Sequence, residues 1–257
     1  MDVRRRLVAT VAIGLLLVIV AAGCDGATLN TWRVQHHLPA LTEPALSRQV
    51  AFANAWEAEL QRRVSFTGVV QPVDAARLGL SWRPGCPVGP ADLRLLRLSY
   101  WGFDNAGHVG ELIVNRKIAS QTLGAFQEMW NEKFPINRMD TADKFLTAAD
   151  FDAAGNYIER NLPDTVNATS GFMCRPVTAG STFSQHAYGM AIDINPLQNP
   201  EIKGLLVVPI NGTHDPAAMG TIVKGGIAVK AMTGHGFIWG GTWKSMKDFM
   251  HFSPNGH

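Results

Sequence analysis

The chain has 257 residues, of which 46% are hydrophobic and 17% are charged, and its formal net charge is +2. This composition is typical of globular proteins and excludes an intrinsically disordered chain. The near balance of charge also argues against a nucleic-acid partner, because such partners usually select a strongly basic surface.

The first 23 residues have the pattern of a secretory signal. Three arginines precede an apolar stretch that starts at Leu7, and small residues lead up to Cys24. The apolar stretch falls short of the roughly 20 residues that an uninterrupted membrane span requires. The segment AAGC resembles a bacterial lipobox, although Ala21 stands where leucine is usual. We therefore expect an exported lipoprotein, anchored to the membrane by lipid on Cys24, with ordinary cleavage and secretion as the alternative.

Cleavage before Cys24 removes three arginines and one aspartate, which leaves a mature chain with no formal net charge. If Cys24 carries lipid, Cys86 and Cys174 remain as a pair. In an oxidising, exported setting such a pair predicts a disulfide. Two buried free thiols are the alternative, because the sequence does not show that the two Cα atoms approach each other.

The chain divides into four predicted regions: a signal peptide at 1–23, a tether at 24–41, a helical and loop extension at 42–92, and a domain at 93–257. The tether is predicted because residues 27–39 show no clear periodicity. The extension is expected to start with a helix from Thr42 to Arg63, since Phe52, Trp56 and Leu60 recur at four-residue spacing.

Strand and helix patterns then alternate through the domain. The predicted elements are a strand with Leu96, Leu98 and Tyr100 on one face, a turn at Asp104–His108, a strand at Val109–Asn115, a helix at Ile118–Phe134 stopped by Pro135, a helical stretch at Thr141–Arg160, and a helix at Ala217–Thr233 that ends at Gly234.

The segment SQHAYGMAID places His186 and Asp193 seven residues apart with Gly189 between them. Fully extended, it would span about 23 Å, which is too far for two cooperating groups. Gly189 can adopt a positive φ and turn the chain, so that His186 swings back toward a following strand. Alternation along that strand gives two faces: Met190, Ile192 and Ile194 on one, and Ala191, Asp193 and Asn195 on the other.

Two histidines and one aspartate form a donor set that suits zinc. His186 and Asp193 would be joined by His251 from the C-terminal DFMHF segment, which leaves a fourth position open for water. Calcium is disfavoured because it prefers six or more oxygen ligands. The spacing alone leaves other interpretations open, including histidines that are satisfied in the core, and His214 or His235 as ligands.

The pattern S-x-H-x-x-G-x-A-x-D, followed by W-G-G-x-W and D-x-x-H-F, resembles the D-alanyl-D-alanine carboxypeptidase-like zinc peptidases. These peptidoglycan-cleaving enzymes are related to lysostaphin-type enzymes and the hedgehog fold. The stretch HAYGMAIDINPLQNP is similar to the L-alanyl-D-glutamate endopeptidase branch. The resemblance extends from about Gly110 to the end, and residues 156–166 form an insertion relative to it.

The resemblance implies a role for each matching residue. His186, Asp193 and His251 would bind zinc, Asp248 would be the general base, and Arg175 would hold a substrate carboxylate or the developing oxyanion. Two further suggestions are weighed against plain structural roles. Ser184 would bind substrate or close the loop of His186, and Trp239 and Trp243 would line the cleft or pack in the core.

These expectations combine into one hypothesis. The fold is α+β, with a small antiparallel sheet carrying the zinc site, flanking helices and an N-terminal extension. The function is zinc-dependent hydrolysis of peptidoglycan stem peptides, as a D,D-carboxypeptidase or an L-Ala-D-Glu endopeptidase. A monomer is expected. The alternative is a lipoprotein that binds cell-wall peptides without cleaving them.

Overall fold

A computed structural model describes residues 26–35, 37, 39–45, 47–48, 50–51, 65–152, 157–158, 162–177 and 182–256. The predicted signal peptide, Cys24, and Phe52, Trp56 and Leu60 of the predicted N-terminal helix lie outside these residues. None of the helices within the described residues has the length and hydrophobicity that a membrane crossing requires. The chain divides into two compact units between Ser65 and Phe66.

The first unit contains helix α1, Gly26–Gln35, where the sequence predicted only a tether. The side-chain amide of Asn30 donates to the carbonyl of Leu41 and accepts from its backbone N–H, both at 2.8 Å. The helix was missed because its sequence, GATLNTWRVQ, carries no apolar stripe.

The second unit starts at Phe66. It therefore includes residues 66–92, which the sequence placed in the extension. Its strands are β1 Gly68–Pro72, β2 Leu93–Gly102, β3 Gly107–Asn115, β4 Pro135–Ile136, β5 Arg138–Met139, β6 Ala168–Thr169, β7 Ile192–Asp193, β8 Glu201–Lys203, β9 Leu206–Val208, β10 Ile238–Trp239, β11 Lys247–Asp248 and β12 His251–Ser253. Its α-helices are α2 Ala75–Leu78, α3 Ala119–Asn131, α4 Leu162–Thr165 and α5 Ile227–Gly234.

The main sheet is built on the predicted hairpin. Strands β2 and β3 pair antiparallel, and β1 pairs antiparallel with the other edge of β2, where β4 also adds in parallel. Leu96 and Leu98 are fully buried, as their alternation predicted. The pairing of β1 with β2 explains why residues 66–92 belong to this unit.

Helix α3 packs against the sheet and confirms the helix predicted from Ile118. Its buried face includes Phe126, Met129 and Trp130. The same core contains Ile192 of β7, Ile194 immediately after that strand, and Phe252 of β12. The short strands that carry the candidate ligands are thus anchored by their apolar sides in the main core.

The α+β class is confirmed, but the site is not on a single sheet. Strands β10, β12 and β7 form one three-stranded sheet, whereas β11, β8 and β9 form another. Asp193 and His251 lie on the first and Asp248 on the second. The chain therefore leaves one sheet and enters the other between Asp248 and His251.

Two helix predictions were wrong in extent. The stretch from Thr141 contains two 3₁₀ turns, Ala142–Lys144 and Ala148–Asp150, and an isolated bridge between Phe151 and Tyr157. A capping box on Thr147 and Asp150 closes the second turn locally and competes with a continuing helix. Helix α5 starts only at Ile227, because glycines precede it, and it ends at Gly234 as predicted.

The predicted disulfide is present. Cys86 and Cys174 are bonded with their Cα atoms 5.9 Å apart, across a sequence separation of 88 residues. Around it, the backbone N–H of Cys174 donates to Ser81, and Arg83 donates to the Cys174 carbonyl, each at 2.9 Å. The loop before β2 is therefore attached to the segment that leads to Arg175.

We expect the double variant Cys86→Ala/Cys174→Ala to lose about 2–5 kcal/mol of unfolding free energy, because the bond restricts a long loop in the unfolded chain. Denaturant titration of the variant and of oxidised wild type measures the difference. Reduced wild type is the control and should match the variant. A difference below about 1 kcal/mol would contradict a stabilising role.

Candidate metal centre

Two of the predicted ligands face each other across neighbouring strands. His251 of β12 is paired in register with Asp193 of β7, and Phe252 is paired with Ile192. Because directly opposite residues of an antiparallel pair project to the same side, this register places the imidazole beside the carboxylate. It also sends Phe252 and Ile192 together into the core.

The third ligand arrives on a turn. His186 lies in a 3₁₀ turn, Gln185–Tyr188, whose first residue is preceded by Ser184, and the hydroxyl of Ser184 accepts from the His186 backbone N–H at 3.3 Å. Gly189 then reverses the chain with φ +66°. A Cβ there would lie 2.7 Å from the backbone nitrogen of Asn115, so glycine is required for space as well as conformation. The predicted turn at Gly189 is confirmed.

The three side chains converge on one point. One oxygen of Asp193 lies 3.0 Å from Nε2 of His186, and the other lies 3.2 Å from Nδ1 of His251. All three residues are buried, and their ligand atoms lie within 4.8 Å of one another. Nδ1 of His186 is 2.7 Å from the carbonyl of Gly171, so it carries the proton and Nε2 presents a lone pair in the neutral ring.

This arrangement fits a metal ion. A neutral His186 directs the lone pair of Nε2 at a carboxylate oxygen, and two acceptors 3.0 Å apart repel unless a cation lies between them. That cation is either a proton on the ring or a metal. Burial opposes ionisation of Asp193, yet the two histidines lower its pKa well below its usual value. The donor set of two imidazoles and one carboxylate is one that zinc prefers.

A fourth group, Asp248, lies beside the cluster. One of its carboxylate oxygens is 4.0 Å from Nδ1 of His251. The other, Oδ1, is buried and has no hydrogen-bond partner among the described residues. Burial raises the pKa of Asp248 well above its usual value; His251 opposes this rise, and the negative charge of Asp193 adds to it. In the metal-free protein Asp248 therefore favours its protonated form.

The W-G-G-x-W segment forms the support of Asp248. A Cβ on Gly240 would lie 2.5 Å from the Asp248 carbonyl, so the close approach requires glycine. Of the two roles left open for Trp239, the structure shows packing in the core, where its indole N–H donates to the Phe249 carbonyl at 2.8 Å. Trp243 does line the cleft, with its ring centroid 5.3 Å from that of His251.

The cluster opens into a cleft of about 670 Å³. Arg175, Ser184 and Trp243 lie in its lining, as the sequence suggested, together with His186, Asp193, Asp248 and His251. The volume is in the range of sites that bind small molecules and short peptides. Ser184 has the structural role of closing the turn at His186, whatever else it contacts.

The two alternative histidine ligands are not part of the cluster. The ring of His214 stacks on Phe249 at 3.6 Å, and its Nε2–H donates to the Ile222 carbonyl. His235 lies 2.9 Å from a carboxylate oxygen of Glu128. Both have structural partners away from the centre.

Two further carboxylates in the cleft were not predicted. Burial raises the pKa of Asp164, in α4, to about 7; the charge of Asp193 adds to the rise, and that of Arg175 opposes it. Burial also raises the pKa of Glu201 in β8. Asp164 lies inside the insertion at 156–166, so the family resemblance gave it no counterpart. The sequence signal available was only a single carboxylate in the short turn LPDT.

Residues 178–254 match a family model described as D-alanyl-D-alanine carboxypeptidase. Comparisons with curated proteins and with solved structures gave no match. The matched segment is under a third of the chain, yet it contains all three clustered ligands and Asp248. The resemblance inferred from the sequence is confirmed, and it supports a peptidase that acts on peptidoglycan peptides.

The pKa of Asp164 predicts a pH dependence of stability for the metal-free protein. Between about pH 4 and pH 7 the folded protein retains a proton that the unfolded chain has lost, so stability falls as the pH rises through this window. Chemical denaturation at pH 5 and pH 7.5 should show a smaller fall for Asp164→Asn than for wild type. Equal falls would assign the pH dependence to other groups.

Proposed function

We propose that the protein is a zinc-dependent peptidase that hydrolyses peptide bonds in peptidoglycan stem peptides. The observation that carries the proposal is the convergence of His186, Asp193 and His251 beside the buried carboxylate of Asp248. The match at 178–254 supports the substrate class, because it names a cell-wall peptidase family.

Each residue of the centre has a task that follows from its surroundings. His186, Asp193 and His251 would hold the ion, and Gly171 fixes the ring of His186 with its Nε2 toward the centre. Bound zinc would supply Lewis-acid polarisation of the scissile carbonyl and acidification of water. Asp248 would take the proton from the attacking water, because its carboxylate lies beside the ligand cluster and one of its oxygens has no partner among the described residues.

Arg175 and Trp243 would contact the substrate. The guanidinium of Arg175 makes one hydrogen bond within the described residues, to the Pro176 carbonyl at 3.3 Å. Its remaining donors are available for a substrate carboxylate or a developing oxyanion. The ring of Trp243 lines the cleft beside His251 and would pack against the bound peptide.

The location of the protein follows partly from the same match. A cell-wall peptidase family supports an exported protein. Lipid attachment at Cys24, and with it a membrane anchor, rests on the lipobox-like sequence alone. A monomeric state is likewise part of the proposal.

Incubation with purified peptidoglycan tests the function directly. Mass spectrometry of the products should show shortened stem peptides, and a chelator should abolish them, with activity restored by added zinc. The mass lost distinguishes removal of a terminal D-Ala from cleavage between L-Ala and D-Glu. Intact stem peptides that nevertheless bind would favour the non-catalytic cell-wall-binding protein.

Variants separate metal binding from proton transfer. We expect Asp248→Asn to retain zinc and to lose roughly 10²–10⁴-fold in turnover, the usual contribution of a positioned base. His186→Ala should lose most of its zinc by elemental analysis, because it removes one of three ligands. Asp215→Asn and His235→Ala are matched controls outside the cleft and should retain both properties. Loss of zinc in Asp248→Asn would make Asp248 a ligand instead.

A further inference from the structure

The carboxylate of Asp164 lies in the cleft without a function in the proposed reaction. The residue is 7% exposed, and it lines both the main cleft and a small recess behind His186 and Asp193. It belongs to the insertion at 156–166, which the family resemblance does not cover. Within the described part of the chain, no hydrogen bond or ion pair satisfies its carboxylate oxygens. A largely buried carboxylate without a protein partner is costly unless a ligand satisfies it.

Arg175 lies in the lining of the same two cavities and carries the opposite charge. The guanidinium donates one long hydrogen bond, of 3.3 Å, to the Pro176 carbonyl. The positive charge of Arg175 acts on Asp164, because it opposes the rise in the pKa of the Asp164 carboxyl group. Nevertheless, no ion pair within 4.0 Å joins the two side chains in the described residues. The cleft therefore presents an acidic and a basic side chain that are not paired with each other.

The backbone holds the two groups in place independently. The segment of Asp164 is attached through Asn167, whose side chain accepts from the Leu197 N–H and donates to Gln198, both at 2.9 Å. The segment of Arg175 is attached through the disulfide at Cys174. Because each anchor restrains its own segment, the side chains of Asp164 and Arg175 are positioned to contact a ligand rather than to form an ion pair with each other.

We propose that Asp164 and Arg175 form a subsite for a zwitterionic amino-acid centre of the substrate, with Asp164 binding the ammonium group and Arg175 the carboxylate. This subsite deepens the proposed function and rests on it. A ligand with both charges satisfies both side chains. A ligand lacking the ammonium group leaves Asp164 buried and unpaired, and this penalty produces specificity. A substrate ammonium also favours the ionised form of Asp164, as any nearby positive charge does.

The chemistry defines a class of stem peptide. It must carry an ammonium and a carboxylate on the same carbon, close to the scissile bond. A diamino-dicarboxylic residue has such a centre at the free end of its side chain, whereas the same residue in a cross-link has lost the free ammonium. The subsite therefore predicts preference for peptides whose diamino residue is not cross-linked.

Three synthetic peptides test the subsite. The parent is L-Ala-γ-D-Glu-meso-diaminopimelyl-D-Ala-D-Ala, which contains both candidate bonds; one derivative is acetylated on the side-chain amine and the other is amidated on the side-chain carboxylate. For wild type, acetylation should lower kcat/KM by roughly 10-fold to 100-fold, the cost of leaving a charged group without its hydrogen bonds. In Asp164→Asn the ratio between parent and acetylated peptide should fall to about 1. Arg175→Gln should lose discrimination against the amidated peptide instead.

Glu201→Gln is the matched control, because Glu201 is the other unassigned carboxylate of the cleft, and Lys203 of the same strand is among the charges that act on it. The control should keep the wild-type ratio. Equal rates for the parent and acetylated peptides in wild type, or a ratio abolished by Glu201→Gln and kept by Asp164→Asn, would overturn the subsite. Thermal unfolding checks that each variant folds. The comparison of the parent and acetylated peptides on wild type tests the subsite even if a variant fails to fold.

Calorimetric titration of the same peptides separates this inference from the proposed function. If no peptide is hydrolysed, the peptidase proposal fails, and the affinities still decide the subsite. Tighter binding of the parent than of the acetylated peptide to wild type, lost in Asp164→Asn, supports it. Equal affinities contradict it.

Discussion

The structure depends on one cross-strand pair. The register of β7 with β12 places Asp193 directly opposite His251, and Ile192 opposite Phe252. One face of this two-residue ladder is the candidate metal centre and the other is the main hydrophobic core. A slip by one residue would exchange the faces, with the ligands in the core and the apolar pair in the cleft. The burial of Ile192 and Phe252 therefore fixes the geometry of the centre.

Close backbone approaches bring the remaining groups to this pair. Gly189 fits against Asn115 at the end of the main hairpin and returns His186 to the ladder, while Gly240 lets the chain pass under Asp248. The break between β11 and β12 resolves an apparent conflict, since Asp248 and His251 are three residues apart and a continuous strand would point them to opposite faces. Two sheets, each contributing a short strand, let both side chains reach one cleft.

Much of the site could be predicted because its signals are local. Glycine between two ligands, alternation after it and the D-x-x-H-F segment each have a direct geometric meaning. The hairpin and α3 followed from periodicity in the same way. Trp239 could not be assigned, because an aromatic residue beside a motif packs in a core as readily as in a cleft. Asp164 was missed because its position depends on the contacts of Asn167 with residues some 30 positions further along the chain. The helix expected from Thr141 is absent from the described part of that stretch, because the capping box of Thr147 and Asp150 closes a 3₁₀ turn there. Amino-acid composition does not reveal such a cap.

The central claim is that Asp193 and the two histidines hold a metal, rather than a proton shared inside a buried ion pair. Zinc K-edge X-ray absorption on the zinc-loaded full chain measures this most directly. The account predicts two imidazole nitrogens and carboxylate oxygen at about 2.0–2.2 Å, and it predicts that His251→Ala loses most of its zinc, because one of three ligands is gone. Sulfur scattering, or a zinc environment that is identical in wild type and His251→Ala, would contradict it.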